Sequence, residues 1–243
     1  MTTPHLLLFG ARGRMGTSIA QIASERGIPC TSAPAGDLPH PPHDSAPVVV
    51  DFSGPGEAER ALQTAVDLGV PFVGGTTGLG EAFEDALDDA ARTVPVLWAS
   101  NMSLGIAVLH RLVREAARML PTSYDVELVE LHHRRKKDAP SGTALTLAEA
   151  ARDMRGGNLR TAREGLTGPR DRDEIGAFGV RGGEVVGEHT VYFLGDADRI
   201  ELTHRARDRS LFASGAVEAA RWIVGQRPGR FTIDDVLDSP TGP

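Results

Sequence analysis

The residues best suited to chemistry lie in one segment, 130–145, whose sequence is ELHHRRKKDAPSGTAL. Two adjacent histidines are followed by four basic residues, although the chain is acidic overall, with 26 Lys and Arg against 33 Asp and Glu. A histidine ordinarily titrates at a pKa of about 6.5, so it can exchange a proton near neutral pH. The segment therefore predicts a site for a small anion beside a proton donor.

The two histidines follow an apolar stretch, 124–131, that is typical of a β-strand. In a strand, Glu130 and His132 share one face and His133 points the other way, so the histidines are poor joint ligands and we expect no metal site. His132, at the end of the strand, is the candidate proton donor, and Lys136 follows four residues later. Taken singly, each is more often a solvated surface side chain.

The turn after the basic residues changes that balance. Ser141 is a strong candidate for a helix N-cap, which places Gly142 and Thr143 in the first helical turn. Backbone N–H groups at this end of a helix suit a carboxylate, and Lys136 or Arg134 can add a charge-assisted hydrogen bond. The combination predicts a pocket for a small molecule that carries one or two carboxylates.

Strand and helix patterns alternate in the first part of the chain. Parallel strands joined by helices predict a doubly wound α/β sheet that binds ligands at the carboxyl ends of its strands. The predicted strands are 6–9, 28–32, 48–52, 70–73 and 94–98. A proline-rich stretch after the second strand is expected to be an irregular connection.

The pattern changes after Asn101 to that of an α+β unit. Helices are predicted at 104–120, 144–154 and 212–224, and a polar loop at 155–174. Two further strands flank the turn 195–198 without an intervening helix, which favours a mixed or antiparallel sheet.

A glycine-rich turn, GARGRMG, joins the first strand to the first helix. Gly10, Gly13 and Gly16 would let the backbone approach a pyrophosphate at the helix N-terminus. The spacing is looser than G-x-G-x-x-G, so a turn without a ligand, or the similar turn of a methyltransferase, stays open. No acid ends the second strand, and Asp37 lies beyond it, so we hypothesise that a 2′-phosphate is tolerated or preferred, with Arg12 its partner.

Bulk properties exclude several classes of protein. The 243 residues are 40% hydrophobic, and the net charge of −7 argues against general nucleic-acid binding. The apolar run 6–9 is too short to span a membrane, and the N-terminus lacks the features of a secretory signal. Cys30 is the only cysteine, so no internal disulfide can form, and a cytoplasmic location is expected.

Seven segments of the chain together resemble the 4-hydroxy-tetrahydrodipicolinate reductase family, also called dihydrodipicolinate reductases. The most specific is VELHHRRKKDAPSGTA; the others are GARGRMG, VVVDFS, VGGTTGL, ASNMS, GVRGGEVVGEHTVYF and ARDRSLFASGAVEAARW. The resemblance implies NAD(P)H-dependent reduction of 4-hydroxy-tetrahydrodipicolinate, a dicarboxylate heterocycle, in diaminopimelate and lysine biosynthesis. It also implies a homotetramer and a Rossmann-like domain, 1–103, completed by 214–243, with a substrate and oligomerisation domain at 104–213.

The resemblance further implies roles for individual residues. His132 and Lys136 match the family's catalytic proton donors, and His133, Gly142 and Thr143 match substrate contacts. NADPH or NADH would contact Gly10, Ala11, Arg12, Gly13, Arg14, Met15, Gly75, Thr76, Thr77, Ala99, Ser100, Asn101 and Met102. Two alternatives are a different NAD(P)H-dependent dicarboxylate reductase and a dinucleotide-sensing protein without catalysis.

Overall fold

The computed structural model describes residues 3–33 and 45–238. Most of the expected irregular connection, including Asp37, lies outside the described residues. The chain divides into two compact units: one comprises Met1–Leu104 and Ser210–Pro243, and the other comprises Gly105–Arg209.

The secondary structure of the described residues has the following bounds. The strands are β1 (Pro4–Phe9), β2 (Cys30–Ser32), β3 (Ala46–Asp51), β4 (Phe72–Gly74), β5 (Pro95–Trp98), β6 (Asp125–His132), β7 (Asn158–Arg160), β8 (Glu174–Arg181), β9 (Glu188–Leu194), β10 (Arg199–Arg205) and β11 (Gly229–Phe231). The helices are α1 (Arg14–Glu25), α2 (Pro55–Leu68), α3 (Glu81–Ala90), α4 (Leu104–Met119), α5 (Gly142–Arg155), α6 (Ser210–Ile223) and α7 (Ile233–Leu237).

The first unit is built on a parallel sheet with the strand order β11-β5-β4-β3-β1-β2. The chain leaves β1 for β2 on one side and then returns to place β3 on the other, so the strand order reverses at β1. Ligands of doubly wound sheets bind at such a reversal, outside the carboxyl ends of the strands. The predicted Rossmann-like fold class is confirmed.

Helices cover both faces of this sheet because its central strands are apolar on both sides. Leu6 and Leu8 of β1 pack in one core with residues of α1 and α6, whereas Leu7 and Phe9 pack in another with α2 and α3. All four side chains are at most 1% exposed. Burial of each such side chain contributes roughly 1.5–3 kcal/mol, so β1 anchors the glycine turn that follows it.

The second unit is built on a mixed sheet with the strand order β10-β9-β6-β8-β7. β9 is antiparallel to both β6 and β10, whereas β8 is parallel to both β6 and β7. Alternate residues of β6, among them Val126 and Leu128, face a core shared with α4 and α5. The same alternation places Glu130 and His132 on that face, at the carboxyl end of the strand.

Four elements were not predicted: β7, β8, β11 and α7. β7 lies within the expected polar loop, and three residues are too few to show a periodicity. β8 contains Gly176 and Gly179, and the missing side chains interrupt its alternating pattern. The side chain of Glu127 occupies that space at Gly176, where an added Cβ would lie 2.0 Å from its Oε2.

Candidate active site

His132 ends β6 with its ring turned towards the buried face of the sheet. Its Nδ1 atom lies 2.5 Å from Oε2 of Glu130, two residues earlier. The His132 side chain is 11% exposed and that of Glu130 is fully buried. The strand therefore holds an imidazole at its exit, oriented through one ring nitrogen.

Glu130 accepts hydrogen bonds from three parts of the unit. Arg181, at the end of β8, donates from Nη1 to Oε2 at 2.8 Å and from Nη2 to Oε1 at 2.6 Å, and the backbone N–H of Ser141 donates to Oε1 at 3.0 Å. Burial acts to raise the pKa of Glu130, but the hydrogen bonds from Arg181, His132 and Ser141 outweigh it and hold the pKa below its ordinary value. The side chain is therefore a carboxylate in the folded protein.

Sequence reasoning did not assign a role to Glu130 or Arg181. A signal for Glu130 was present, since an acid on the same strand face as Val126 and Leu128 must be paired when that face is buried. Arg181 gave no such signal, because it lies at the end of β8, a strand that the sequence pattern did not predict.

The helix start predicted after the basic residues is confirmed. Ser141 is the N-cap of α5, and its Oγ accepts from the backbone N–H of Ala144 at 3.2 Å. Gly142 and Thr143 form the first turn, and Gly142 is exposed. An exposed first turn at the positive end of a helix can receive a carboxylate.

The basic residues ahead of this turn differ in their surroundings. The Nζ atom of Lys136 lies 3.0 Å from Oδ1 of Asp138, and its side chain is 22% exposed. Arg135 forms an ion pair with Glu184 on the surface, whereas the side chains of Arg134 and Lys137 are exposed. Lys136 is thus the most sheltered of the four cations.

Two further histidines lie close to His132 or follow it directly. His189 of β9 is buried and meets the His132 ring edge to face, with 5.2 Å between ring centroids, and burial lowers its pKa to about 4. His133 places Nε2 3.3 Å from Nη2 of Arg209. Desolvation and the charge of Arg209 lower the pKa of His133, so both rings favour the neutral form.

The glycine turn of the first unit has the backbone that a pyrophosphate requires. Gly10 adopts a left-handed conformation with φ of 76°, and the N–H of Gly13 donates to the Gly10 carbonyl at 2.9 Å. A Cβ on Gly16 would lie 2.2 Å from that carbonyl oxygen. Gly13 is the N-cap of α1 and makes no side-chain cap bond. The backbone N–H groups at the helix N-terminus are therefore not capped by a side chain. Both Arg12 and Arg14 are exposed there.

The other predicted cofactor residues follow β4 and β5. Thr76 is buried, and its hydroxyl donates to Oδ2 of Asp51 at 2.6 Å. Burial raises the pKa of Asp51, while hydrogen bonds from Ser53 and Thr76 act in the opposite direction. Thr77, the next residue in the turn after β4, is exposed. The sequence analysis assigned no role to Asp51 or Ser53.

The segment after β5 is also at the carboxyl edge of the sheet. The N–H of Ala99 donates to the Gly74 carbonyl at 3.1 Å, and Asn101 accepts from the N–H of Ser103 at 2.9 Å. Ser100 is exposed, whereas Met102 is 2% exposed. The predicted cofactor residues therefore follow β1, β4 and β5 at one edge of the sheet. Thr77 and Ser100 are exposed there, whereas Thr76 and Met102 are buried.

The described residues lack two further features, a metal-binding cluster and a membrane-spanning helix. In residues 3–33 and 45–238, no group of three or more His, Cys, Asp or Glu side chains could hold a metal ion. Within the same part of the chain, no helix has the length and apolar character needed to cross a bilayer.

A parallel sheet with a glycine turn after its first strand is typical of the class of dinucleotide-binding proteins. Two family models divide the chain between them: "Dihydrodipicolinate reductase, N-terminus" matches residues 27–102, and "Dihydrodipicolinate reductase, C-terminus" matches residues 105–237. The chain therefore belongs to the dihydrodipicolinate reductase family, and the predicted resemblance is confirmed.

Curated relatives and solved structures agree with this assignment. The chain is 42% identical to the 4-hydroxy-tetrahydrodipicolinate reductase of Desulfovibrio desulfuricans, over 93% of this chain and 95% of the relative. It is 43% identical to that of Akkermansia muciniphila, over 96% and 97%. A dipicolinate-bound dihydrodipicolinate reductase from Paenisporosarcina sp. TG-14 shares the fold, with a TM-score of 0.73, 19% identity, and coverage of 95% and 97%.

Proposed function

We propose that this protein reduces 4-hydroxy-tetrahydrodipicolinate to tetrahydrodipicolinate with NAD(P)H, in diaminopimelate and lysine biosynthesis in the cytoplasm. The observation that carries the proposal is the site in the second unit of a chain of this family: an imidazole oriented by a buried carboxylate that also binds the N-cap of a helix. One end of that arrangement can exchange a proton, and the other can receive a carboxylate.

The first unit would hold the nucleotide through the turns at the carboxyl edge of its sheet. Gly10, Gly13 and the first turn of α1 suit the pyrophosphate, and exposed Thr77 and Ser100 lie on the two neighbouring turns. The Thr76 hydroxyl is already hydrogen-bonded to Asp51, so Thr76 would stabilise the turn and would not use its hydroxyl to contact the nucleotide. When bound, the reduced nicotinamide supplies a hydride.

The second unit would bind the diacid and supply the proton. We assign one substrate carboxylate to the first turn of α5, at Gly142 and Thr143, and place His133 beside the substrate. The hydroxylated ring loses water, the resulting conjugated ring accepts the hydride at carbon, and one proton completes its reduction. His132 and Lys136 would deliver that proton or stabilise the negative charge that develops on the ring. Both side chains are largely shielded from solvent and lie in the same unit.

Arg12 would determine whether the 2′-phosphate of NADPH is tolerated or preferred. Its guanidinium is exposed on the glycine turn, and arginine pairs well with a phosphate. We expect KM for NADPH to equal or fall below KM for NADH. A preference for NADH of about tenfold, or about 1.4 kcal/mol, would contradict this assignment.

The activity is tested by following NAD(P)H oxidation with substrate generated from pyruvate and aspartate semialdehyde. His132→Gln should lower kcat by about 10²–10⁴-fold, because a positioned proton donor contributes that much, and should leave NADH binding within about twofold. A wild-type protein that oxidises no NAD(P)H with this substrate contradicts the proposed reaction. Normal turnover by His132→Gln contradicts only the assigned role of His132.

We also propose that the protein assembles as a homotetramer through the second sheet. The face of that sheet opposite the core carries Val129, Leu131, Phe178, Val180 and Tyr192, all partly exposed. An apolar sheet face of this kind, in a protein of otherwise ordinary hydrophobicity, favours contact with other copies of the chain.

A further inference from the structure

We propose that Glu130 is a positioning residue that fixes the orientation and tautomer of His132, and that Gly187 keeps the other ring nitrogen accessible. The inference rests on the proposed function, because it assumes that His132 exchanges a proton with the substrate. Glu130 acts through His132 and does not itself touch the substrate.

The carboxylate of Glu130 is fully occupied by its neighbours. An ionised carboxylate only accepts hydrogen bonds, and both oxygens of this fully buried side chain are already in use. Oε1 receives Arg181 and the N–H of Ser141, and Oε2 receives Arg181 and Nδ1 of His132. The Nδ1 atom of His132 must therefore carry a hydrogen.

A neutral imidazole has one protonated and one unprotonated ring nitrogen. When Nδ1 carries the hydrogen, Nε2 carries the lone pair, so Nε2 is the atom that takes up and releases the catalytic proton. The charge of Glu130 stabilises the protonated ring before transfer, and its hydrogen bond holds the ring plane during transfer. A carboxylate that orients a histidine through Nδ1 is an arrangement known to aid proton transfer.

Gly187 borders the space at Nε2 of His132. A Cβ on Gly187 would lie 2.9 Å from Nε2 of His132, and 3.4 Å from Cδ2 of the same ring. The segment before Gly187 is fixed against β6, since His133 donates from its N–H to the Val185 carbonyl at 2.7 Å and Gly182 donates to the His132 carbonyl at 3.0 Å. Any side chain at 187 would thus crowd the working nitrogen.

The charge pattern around the ring is consistent with these roles. Arg181 shares Glu130 with His132, and His189 contacts the His132 ring edge to face while remaining neutral near pH 7. Glu130 is the carboxylate that contacts the ring, so it supplies the local negative charge.

The tautomer can be measured on the unmodified protein. Long-range ¹H–¹⁵N spectra of histidine-labelled protein, taken at alkaline pH and assigned by comparison with His132→Gln, distinguish the two neutral forms. We expect a protonated Nδ1 and an unprotonated Nε2 for His132. A signal from the opposite tautomer overturns the proposal without requiring any variant of Glu130.

Glu130→Gln tests the role in turnover. A glutamine has one acceptor oxygen, so two of the four donors lose their partner and the amide NH₂ faces either His132 or Ser141. We expect kcat to fall by about 10²-fold or more, in the range found when the partner of a working histidine is altered. The Kd of pyridine-2,6-dicarboxylate, measured by calorimetry, should change less than about threefold, and the His132 tautomer should shift towards protonated Nε2.

Glu127→Gln is the matched control. Glu127 lies on the same strand and is also paired with arginine, in its case Arg163 and Arg170, but it projects from the opposite face. We expect its kcat to stay within about threefold of wild type. Equal loss in both variants, or unchanged turnover in Glu130→Gln, overturns the proposal, whereas an inactive wild type contradicts the proposed function instead.

Gly187→Ala tests the accessibility of Nε2 independently of Glu130. We expect kcat to fall by about tenfold or more with an unchanged Nδ1-protonated tautomer, because the methyl group crowds the nitrogen without removing its partner. Gly182→Ala is the control, since open space surrounds that position. Wild-type turnover in Gly187→Ala, with the ring signal unmoved, contradicts the assigned role of Gly187.

Discussion

Burial separates the roles of the two histidines that meet at the end of β6 and the start of β9. His132 is slightly exposed and is held by a carboxylate, whereas His189 is almost fully buried, and its Nε2 lies 3.3 Å from the hydroxyl of Ser141. Desolvation lowers the pKa of His189 to about 4, so this ring is neutral near pH 7. His189 therefore serves packing, while His132 remains available for proton exchange.

His189 makes the stability of the fold depend on pH. Its folded pKa, about 4, lies below the unfolded value of about 6.5. Between these values the unfolded chain binds a proton that the folded chain does not, so the free energy of unfolding falls as pH decreases from about 6.5 to about 4. The loss amounts to about 3 kcal/mol for the full shift.

Urea unfolding at several pH values measures this effect. His189→Gln removes the titrating ring, and we expect the pH dependence of its unfolding free energy to be shallower than that of wild type between pH 4 and about 6.5. His133 also has a lowered pKa and a protonatable ring, so His133→Gln is the comparison. A slope unchanged by His189→Gln is the result that contradicts the assignment.

Lys136 is expected to contribute to turnover through its charge. Lys136→Ala should lower kcat by about 10–10²-fold, because a cation beside the reacting ring is lost. Its surface ion pair with Asp138 contributes about 1 kcal/mol or less, so the stability should change little. The neighbouring exposed residue provides the control: Lys137→Ala should turn over normally, and equal activity of the two variants would remove Lys136 from the mechanism.

The sequence alone was sufficient to predict individual residues only where their type and local context coincided. Ser141 could be predicted as an N-cap because capping depends on neighbours within one helical turn. The role of Arg181 could not be predicted, because its partner Glu130 is 51 positions away and is reached only through the pairing of β6 with β8. Glu130 is an intermediate case: the sequence predicts which face of the strand it occupies, but it does not predict its hydrogen-bond partners.

At the scale of elements, the β1 turn and α1 depend on a close approach that only glycine permits. In Gly16→Ala the new Cβ would lie 2.2 Å from the Gly10 carbonyl oxygen and 2.6 Å from Cα of Ala11, both of them backbone atoms. We expect a loss of about 1–3 kcal/mol in the free energy of unfolding. Displacement of the turn should also weaken NADH binding at least tenfold, measured by fluorescence titration.

Gly56→Ala is the matched control for Gly16→Ala. Gly56 lies in the first turn of α2, and open space surrounds the position that its Cβ would occupy. The same substitution there should leave NADH binding unchanged and should not reduce stability, because alanine favours a helix. Tight NADH binding by Gly16→Ala would show that the turn tolerates a side chain.

Element prediction succeeded where hydrophobic periodicity was long and failed where it was short or interrupted. α4 was predicted at 104–120, and the structure has this helix at Leu104–Met119. β11 has three residues, and β8 contains two glycines, so neither shows the alternation of a half-buried strand. The mixed character of the second sheet depends on β8, which only the tertiary structure reveals.

At the scale of the whole molecule, the two units have separate cores and the assignments made to them differ in kind. The first unit supplies backbone-rich turns suited to a nucleotide, and the second supplies charged side chains suited to a diacid. Alternation of strands and helices was enough to predict the first unit. Assembly has a weaker sequence signal, because the residues involved are scattered over several strands.

The exposed sheet face yields a prediction about assembly. Val180 is 48% exposed on β8, beside the partly exposed Leu131 of β6. If this face joins copies of the chain, Val180→Asp buries a charge at the contact and should reduce the molar mass measured by light scattering after size exclusion from tetramer to dimer or monomer. Met119→Asp, at the exposed end of α4, is the control and should remain tetrameric. A tetramer that persists in Val180→Asp places the interface elsewhere, and a monomeric wild type excludes the assembly altogether.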